Sequence, residues 1–387
     1  MPDTLLVVTV DRLPAWMLPA YGATWVAMPA ATSLAARGVV FDGLVATSDD
    51  PRETAAALVS WLAELPPATV AVVADDPGLV GLVPAGEATV VPVVASEASA
   101  DDEAATNLGR LFAAAEAIVS ARRHRIVWCH ASSLGLSWDA PAAFREAYLD
   151  PDDPPPPPGA AVADVDVTPA TDPDLVVGLR HVFAAQLTLF DRHLGRLLEA
   201  GGATGGVLLA GLRGMPLGLH GRVGPGVSPP FGECVHLPAV LVDAAGRMAG
   251  QRYGGLVTPA DVGVTIAALH GRAPPPRAVE SPEGGRSLAG LFDAWHAPVR
   301  DRVITRGAAG IAVTTPGWRL VVPAASGDEP PRSRLFARPD DFLERCDVAD
   351  RSARVCEELA GVAEAAGRGS MAEAWAAPLS EGTARSS

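Results

Sequence analysis

Short apolar runs alternate with longer amphipathic segments along the first two thirds of the chain. The runs at 5–10, 69–75 and 124–131 are almost entirely apolar, and the first stops at the polar pair Asp11-Arg12. Apolar runs of this length are typical of strands buried on both faces of a parallel sheet. Further strand candidates lie at 39–45, 88–95, 206–210 and 239–243.

Helical periodicity and helix-capping signals separate these runs. The clearest helix is predicted over 101–123, with Asp101 or Asp102 as its N-cap. Other helices are predicted over 28–38, 51–65, 174–200 and 259–269. Strands that alternate with helices in this way indicate an α/β domain whose central, mostly parallel sheet is flanked by helices.

The pattern changes twice along the chain. Residues 1–300 form the predicted α/β domain, in which the Pro- and Asp-rich segment 149–173 is expected to be a surface excursion. Residues 301–365 contain short apolar runs with Gly turns and then a helical pattern, which predicts a small antiparallel α+β subdomain. Residues 366–387 are small and polar, and we expect a disordered tail there.

Composition narrows the classes of partner and chemistry. The net charge of −15 argues against nucleic acid or an anionic membrane as a partner. All 30 basic residues are Arg, which excludes Lys-dependent Schiff-base and P-loop mechanisms. The four cysteines show no metal-binding spacing and are expected to be reduced: Cys129, Cys234, Cys346 and Cys356.

The chain shows no targeting signal in its first residues. The apolar run at 5–10 is too short for a signal sequence, and no run approaches the 18 apolar residues of a membrane span. A cytoplasmic location is therefore expected. The sequence gives no indication of oligomeric state.

Several segments occur in the order that one family shows. They are "LLVVTVDRL", "MPAATSLAARGVVFDGLVATSDDPRETAAAL", "PPFGECVHLPAVLVDA", "GRSLAGLF" and "GWRLVV", and they extend over roughly residues 4–350. The chain resembles the sulfatases, which are part of the alkaline-phosphatase-like superfamily. The resemblance implies that family's fold, with a site at the carboxyl ends of the central strands.

The resemblance also implies a particular chemistry. In the family, carboxylates after the first strand and in a later Asp-His-Gly loop hold Ca²⁺ or Mg²⁺, for which a hard, oxygen-rich ligand set is suited. A Cys or Ser is oxidised to formylglycine, which attacks sulfur, while Lys and His bind the sulfate and protonate the leaving group.

This sequence departs from the family pattern at the metal ligands and at the nucleophile. The usual Asp-Asp after the first strand is Asp11-Arg12, so a cation replaces one ligand. Aligning the proline of the nucleophile segment places Asp49 where the Cys or Ser is expected. The Asp-His of the later loop falls on Leu212-Arg213. The metal ligands and the formylglycine precursor are therefore missing from the expected positions.

Other family positions are partly kept. His220-Gly221 retains the His-Gly later in the loop, and Arg319 stands for the Lys expected in "GWRLVV". His130, at a predicted strand end, is a loose match to a His that contacts sulfate.

From these departures we expect that internal ion pairs have replaced the metal, with Arg12 and Arg213 forked onto Asp11 and Asp49. The expected protein is a degenerate, sulfatase-like pseudoenzyme without a metal cofactor and without sulfate-ester hydrolysis. It would serve as a scaffold, or bind a small anion such as a sulfate or phosphate ester through Arg12, Arg52, Arg213 and His220.

Two alternatives stay open at this point. The first is an atypical sulfuric or phosphoric ester hydrolase, in which Ser48 or Thr47 is the nucleophile and acids such as Asp75, Asp76 or Asp139 hold the metal. The second is structural: Asp11 caps a turn, and Asp49 and Asp50 cap the helix that begins at Pro51. Whether the chain is an enzyme is not decided by its sequence.

Overall fold

The computed structural model describes residues 4–150, 152–153, 157, 159–201, 204–272, 283–292, 298–325 and 332–384. The chain divides into two compact units, each assembled from separate segments. The first unit consists of Met1–Val40, Leu62–Gly226 and Pro238–Arg252. The second consists of Phe41–Trp61, Val227–Leu237 and Tyr253–Ser387.

The strands of the described residues are β1 (Leu5–Val10), β2 (Val39–Leu44), β3 (Val70–Ala74), β4 (Glu87–Val90), β5 (Ile126–Ala131), β6 (Val165–Asp166), β7 (Gly206–Gly211), β8 (Arg222–Val223), β9 (Ala239–Asp243), β10 (Gln251–Val257), β11 (Val303–Gly307), β12 (Gly310–Thr314), β13 (Trp318–Pro323) and β14 (Arg334–Ala337).

The α-helices of the same residues are α1 (Pro29–Arg37), α2 (Pro51–Val59), α3 (Pro77–Val80), α4 (Asn107–Ala121), α5 (Ala142–Glu146), α6 (Pro173–Glu199), α7 (Gly232–Val235), α8 (Pro259–Leu269), α9 (Ala353–Gly367), α10 (Met371–Ala376) and α11 (Glu381–Ala384). Among these helices, none is both long enough and apolar enough to cross a bilayer.

A large mixed sheet is the centre of the fold, with the strand order β10-β2-β9-β7-β1-β5-β3-β4. Strand β1 pairs in parallel with β5 and β7, and β3 pairs in parallel with β5 and β4, whereas β9 runs antiparallel to β7. Every residue of β1, β5 and β7 is buried. This explains why these strands are continuous apolar runs in the sequence. The prediction of a central, mostly parallel sheet is confirmed.

Helices of the first unit cover this sheet and bury a large apolar core. The longest is α6, whose N-cap is Asp172 and whose first residue is proline. Helix α4 begins later than predicted, at Asn107, with Thr106 as its N-cap in place of Asp101 or Asp102. The later start is fixed by tertiary contacts, because the backbone and side-chain amides of Asn107 both donate to Asp139.

The Pro-rich excursion is held by contacts at two places within it. The side chain of Arg145, 4% exposed, donates to the carbonyls of Pro157 and Gly159. Further along, strand β6 pairs with β8 in a short antiparallel ladder. Ala160 is fully buried. Part of the segment therefore packs on the first unit, which differs from an entirely surface-exposed loop.

The second unit contains the predicted antiparallel sheet, with the order β11-β12-β13-β14. One face of this sheet packs its apolar side chains against α9; they are Ile304, Val313, Leu320 and Leu335. Residues 371–376 and 381–384, within the predicted tail, are helical. Ala374 of the first of these helices is buried in the same cluster, against which Met371 and Trp375 also pack.

Candidate functional site

Three neighbouring strands of the first unit end at the same edge of the sheet. Val10 of β1 pairs with Ala131 of β5 on one side and with Gly211 of β7 on the other. Because the strands are parallel, the residues that follow them meet at this carboxyl edge. Backbone hydrogen bonds from Asp11 to Ala131 and from Leu212 to Val10 extend the pairing past the strand ends.

Asp11 and Arg213 form a bidentate ion pair at this edge. The guanidinium Nε of Arg213 lies 3.1 Å from Oδ1 of Asp11, and its Nη2 lies 2.8 Å from Oδ2. The Asp11 side chain is 10% exposed and that of Arg213 is 24% exposed. A fork of this geometry on a partly desolvated carboxylate is among the strong hydrogen-bonded pairs in proteins. Both carboxylate oxygens of Asp11 are therefore engaged by a fixed cation.

Leu212 and Arg12 also sit at the edge, in very different environments. Leu212 is fully buried and offers no ligand atom. Arg12 has a φ of 62°, in the left-handed region that few residues other than glycine adopt. Its Nη2 donates to the carbonyl of Pro225 at 2.5 Å. A Cβ atom on Gly135 would lie 2.9 Å from Cγ of Arg12, so the absence of a side chain there makes room for the arginine.

His130 lies inside β5 and is fully buried. Its Nδ1 is 2.9 Å from Oγ1 of Thr9, which also accepts a hydrogen bond from the indole of Trp128. Burial lowers the pKa of His130, against the opposing charges of Asp75 and Asp11, so the ring is held neutral. Its Nε2 atom has no hydrogen-bond partner among the described residues.

Asp75 follows β3, and its carboxylate accepts hydrogen bonds from the loop after β5. Its Oδ1 accepts hydrogen bonds from the backbone N–H and the hydroxyl of Ser132, and its Oδ2 accepts one from the N–H of Ser133. Asp139 is likewise engaged by Asn107 and Gln186. Two of the acids considered as alternative metal ligands thus hold loops and helices in place.

His220 lies on the long loop that leaves β7. It is partly exposed and precedes Gly221, whose φ of 81° turns the chain back towards β8. The loop is fixed by a hydrogen bond from the N–H of Val167 to the carbonyl of Gly221.

The predicted nucleophile segment belongs to the second unit. Asp50 is the N-cap of α2 and accepts a hydrogen bond from the N–H of Arg52, as the structural alternative predicted. Asp49 accepts a hydrogen bond from the N–H of Ala308 at 2.8 Å. Ser48 is 8% exposed, and its Oγ accepts a hydrogen bond from the N–H of Asp50. The arrangement is that of a helix start.

Arg319 is a fully buried residue of β13 in the second unit. Its Nε lies 3.0 Å from Oε1 of Glu344, whose other oxygen accepts a hydrogen bond from the N–H of Gly232. Burial lowers the pKa of Arg319, and the charge of Glu344 opposes this effect.

These residues do not fit the divalent cation that the resemblance implies. Within the described ranges, no group of three or more His, Cys, Asp or Glu side chains is placed to hold a metal ion. Asp11 has both oxygens on Arg213, and the next expected ligand position is the buried, apolar Leu212. Ca²⁺ and Mg²⁺ require several oxygen ligands, so the side chains at this edge form no such site.

Sequence reasoning missed two residues that accommodate or orient side chains at this edge. Gly135 carries no motif, yet its missing Cβ accommodates Arg12. Thr9 is an ordinary strand residue in the sequence but orients His130. Thr9 is a polar residue within an apolar run, which is a sequence signal for such a role, whereas Gly135 gives no signal.

Comparisons with known proteins agree with this fold. No family model and no curated protein matches the sequence. The phosphonate monoester hydrolase of Agrobacterium radiobacter is similar with a TM-score of 0.71 and 13% identity, over 95% of this chain and 96% of that one. A 2-O GAG sulfatase is similar with a TM-score of 0.68 and 13% identity, over 96% and 93% of the chains.

A third protein, solved in complex with its substrate D-glucosamine-2-N,6-O-disulfate, gives a TM-score of 0.68 at 12% identity over 95% and 98% of the chains. The chain therefore has the fold shared by sulfatases and phosphonate monoester hydrolases, the alkaline-phosphatase-like fold that its motifs predicted.

Proposed function

We propose that this chain is a sulfatase-fold protein that has lost metal-dependent ester hydrolysis and retains its strand-end pocket as a binding or scaffolding surface. The observation that carries the proposal is the fork of Arg213 on both oxygens of Asp11. The guanidinium of Arg213 binds both oxygens of the Asp11 carboxylate, which a metal ion would need as a ligand.

Electrostatics support the exchange of a metal for an arginine. Two unit positive charges 4 Å apart repel by about 4 kcal/mol at an effective dielectric constant of 20, and a divalent ion doubles that figure. A cation at Asp11 would have to displace Arg213 or sit beside it. Arg12 adds a second positive charge at the same strand end, so the bound cation would be opposed from two sides.

The ligand class that we propose for the pocket is a small anion such as a sulfate or phosphate ester. The sulfatase and hydrolase neighbours act on substrates of this kind. Arg12, Arg213 and His220 are the candidate contacts in the first unit, and Arg52 in the second unit stays a candidate on sequence grounds.

Metal content and reverse substitution test the proposal together. Purified protein is expected to bind no Ca²⁺ or Mg²⁺ in calorimetric titration and to leave aryl sulfate, aryl phosphate and aryl phosphonate esters intact. The matched variant is Arg12→Asp, Leu212→Asp, Arg213→His, in which Asp suits the left-handed backbone at position 12. It is expected to gain Ca²⁺ binding. Stoichiometric metal in the native protein, or turnover at an ordinary enzymatic rate, overturns the proposal.

The competing function is an ester hydrolase with Ser48 or Thr47 as the nucleophile. This alternative is supported by the similar structures, which are a phosphonate monoester hydrolase and a sulfatase. Ser48→Ala is its direct test, with Ser60→Ala, at the other end of α2, as the control. Ester cleavage that Ser48→Ala abolishes and Ser60→Ala preserves would replace the pseudoenzyme proposal by this one.

A further inference from the structure

One face of the antiparallel sheet in the second unit carries two buried polar side chains among apolar ones. Pairing across β11 to β14 places four side chains in one row: Val303, Thr314, Arg319 and Phe336. Directly opposed residues of antiparallel strands have neighbouring side chains on the same face. Thr314 and Arg319 are both 0% exposed.

The polar atoms of this row are short of hydrogen bonds. Oγ1 of Thr314 and both terminal nitrogens of Arg319, Nη1 and Nη2, have no hydrogen-bond partner within the part of the chain that the structure describes. Buried donors are paired with protein, water or ligand in almost all proteins, since an unpaired donor carries its full desolvation penalty. An unidentified acceptor is therefore required beside Arg319.

The charges nearby indicate what kind of acceptor is needed. Glu344 contacts Arg319 through Nε and uses its second oxygen on the backbone of Gly232. Arg338 follows β14 directly. Its N–H donates to the carbonyl of Gly317, which extends the pairing with β13 by one residue and places Arg338 on the face that carries Arg319. Burial and the charge of Arg319 lower the pKa of Arg338 to about 10, which is consistent with two close cations. Two guanidinium groups, that of the buried Arg319 and that of the partly exposed Arg338, are thus within electrostatic range of the Glu344 carboxylate.

We propose that Arg319 and Thr314 form an internal site for one small monovalent anion, chloride, with Arg338 supplying the second positive charge. A single negative charge balances the surplus of one positive charge, which a water molecule cannot do. A spherical halide accepts hydrogen bonds from any direction, so it can satisfy Nη1, Nη2 and Oγ1 together. Full burial of the row favours a monatomic ion over sulfate or phosphate.

Bromide diffraction on the unmodified protein tests the site directly. Crystals grown with bromide in place of chloride are expected to show an anomalous peak in contact with the Nη atoms of Arg319 and Oγ1 of Thr314. A featureless map at this position, or a water molecule without anomalous signal, overturns the proposal. This result does not depend on any variant folding correctly.

Thermal unfolding tests the same site in solution. Ligand binding to the native state raises the unfolding midpoint, so sodium chloride is expected to raise it by about 2–5 °C over sodium gluconate at equal ionic strength. Thr314→Val removes one donor without changing shape and should reduce this shift. The control is Thr315→Val, a neighbouring buried threonine whose hydroxyl is already partnered by Trp318.

The chloride-dependent shifts of the two threonine variants decide between the possibilities. A chloride shift that Thr314→Val diminishes and Thr315→Val preserves supports the site. Equal shifts in both variants, or no shift in the native protein, overturn it. Neither result bears on the loss of hydrolysis proposed for the first unit, because the chloride site uses none of its residues.

Discussion

Arg213 holds Asp11 through two parallel hydrogen bonds, 3.1 Å and 2.8 Å long, between residues that follow adjacent parallel strands. The pair joins the ends of β1 and β7, which are neighbours in the sheet but about 200 residues apart in the chain. The ion pair therefore links two neighbouring strand ends.

Removing one partner of this ion pair is expected to be costly. Arg213→Met leaves the buried Asp11 carboxylate without its fork and should lower the free energy of unfolding by about 2–4 kcal/mol. Asp11→Asn combined with Arg213→Met removes both charges and should recover about 1–3 kcal/mol of the summed loss. Urea denaturation of the four proteins measures this coupling.

A surface ion pair provides the control for the cycle. Arg368 and Glu364 are one helical turn apart, with side chains 54% and 72% exposed. Arg368→Met should change the free energy of unfolding by less than about 0.5 kcal/mol. Additive effects of the Asp11 and Arg213 substitutions would contradict a structural role for their fork.

The packing of Arg12 over Gly135 predicts a second coupling. A Cβ on residue 135 would lie 2.9 Å from Cγ of Arg12, so Gly135→Ala should lower the free energy of unfolding by about 1–3 kcal/mol. Arg12→Gly removes the obstructing side chain, and glycine suits the φ of 62°. In that background Gly135→Ala should change stability by less than about 0.5 kcal/mol. Equal costs in both backgrounds would show that the contact is not the cause.

The sequence anticipated the sheet better than the site. Strand β1 was predicted at 5–10 and is Leu5–Val10, because a strand buried on both faces must be apolar throughout. Alignment of Asp11 and Arg213 with family ligands suggested their proximity, since parallel strands end at one edge. The start of α4 at Asn107 was not predictable, because it depends on contacts with Asp139, a residue distant in the chain.

The conformation of the loop after β5 explains why the role of Asp75 was not predicted. Asp75 accepts three hydrogen bonds from Ser132 and Ser133, which requires a particular turn after β5. No periodicity encodes that turn, and an Asp that ends a strand has the same sequence signal whether it binds a metal or caps a loop. The distinction rests on tertiary geometry.

Asp191 is expected to make stability depend on pH. It lies in α6, is 1% exposed, and accepts hydrogen bonds from the N–H groups of Ala30 and Ala31 at the start of α1. Burial outweighs these bonds and raises the pKa of Asp191 to about 6. Because the folded state binds this proton more tightly than the unfolded state, protonation of Asp191 contributes a stabilising free energy at low pH. It is lost as the pH rises through 6.

The comparison with Asp191→Asn isolates this effect from other carboxylates. Between pH 4 and pH 7, the native protein should lose about 1–3 kcal/mol of stability relative to the Asn variant. Chemical denaturation of both proteins across this range provides the measurement. A native protein that gains stability over the variant as the pH rises would mean that the two backbone hydrogen bonds outweigh desolvation.

A side chain at position 232 is expected to lower stability because Glu344 packs against Gly232. A Cβ at this position would lie 2.7 Å from Oε1 of Glu344, the oxygen that contacts Arg319. Gly232→Ala must therefore shift a fully buried ion pair, and it should lower the free energy of unfolding by about 1–3 kcal/mol. Gly361→Ala is the matched control, since this glycine lies on an exposed position of α9 with no atom within 4 Å of its added Cβ. There the same substitution should raise stability by about 0.5–1 kcal/mol, because alanine favours the helix. Urea denaturation compares the two, and a neutral Gly232→Ala would show that Glu344 is free to move away from Arg319.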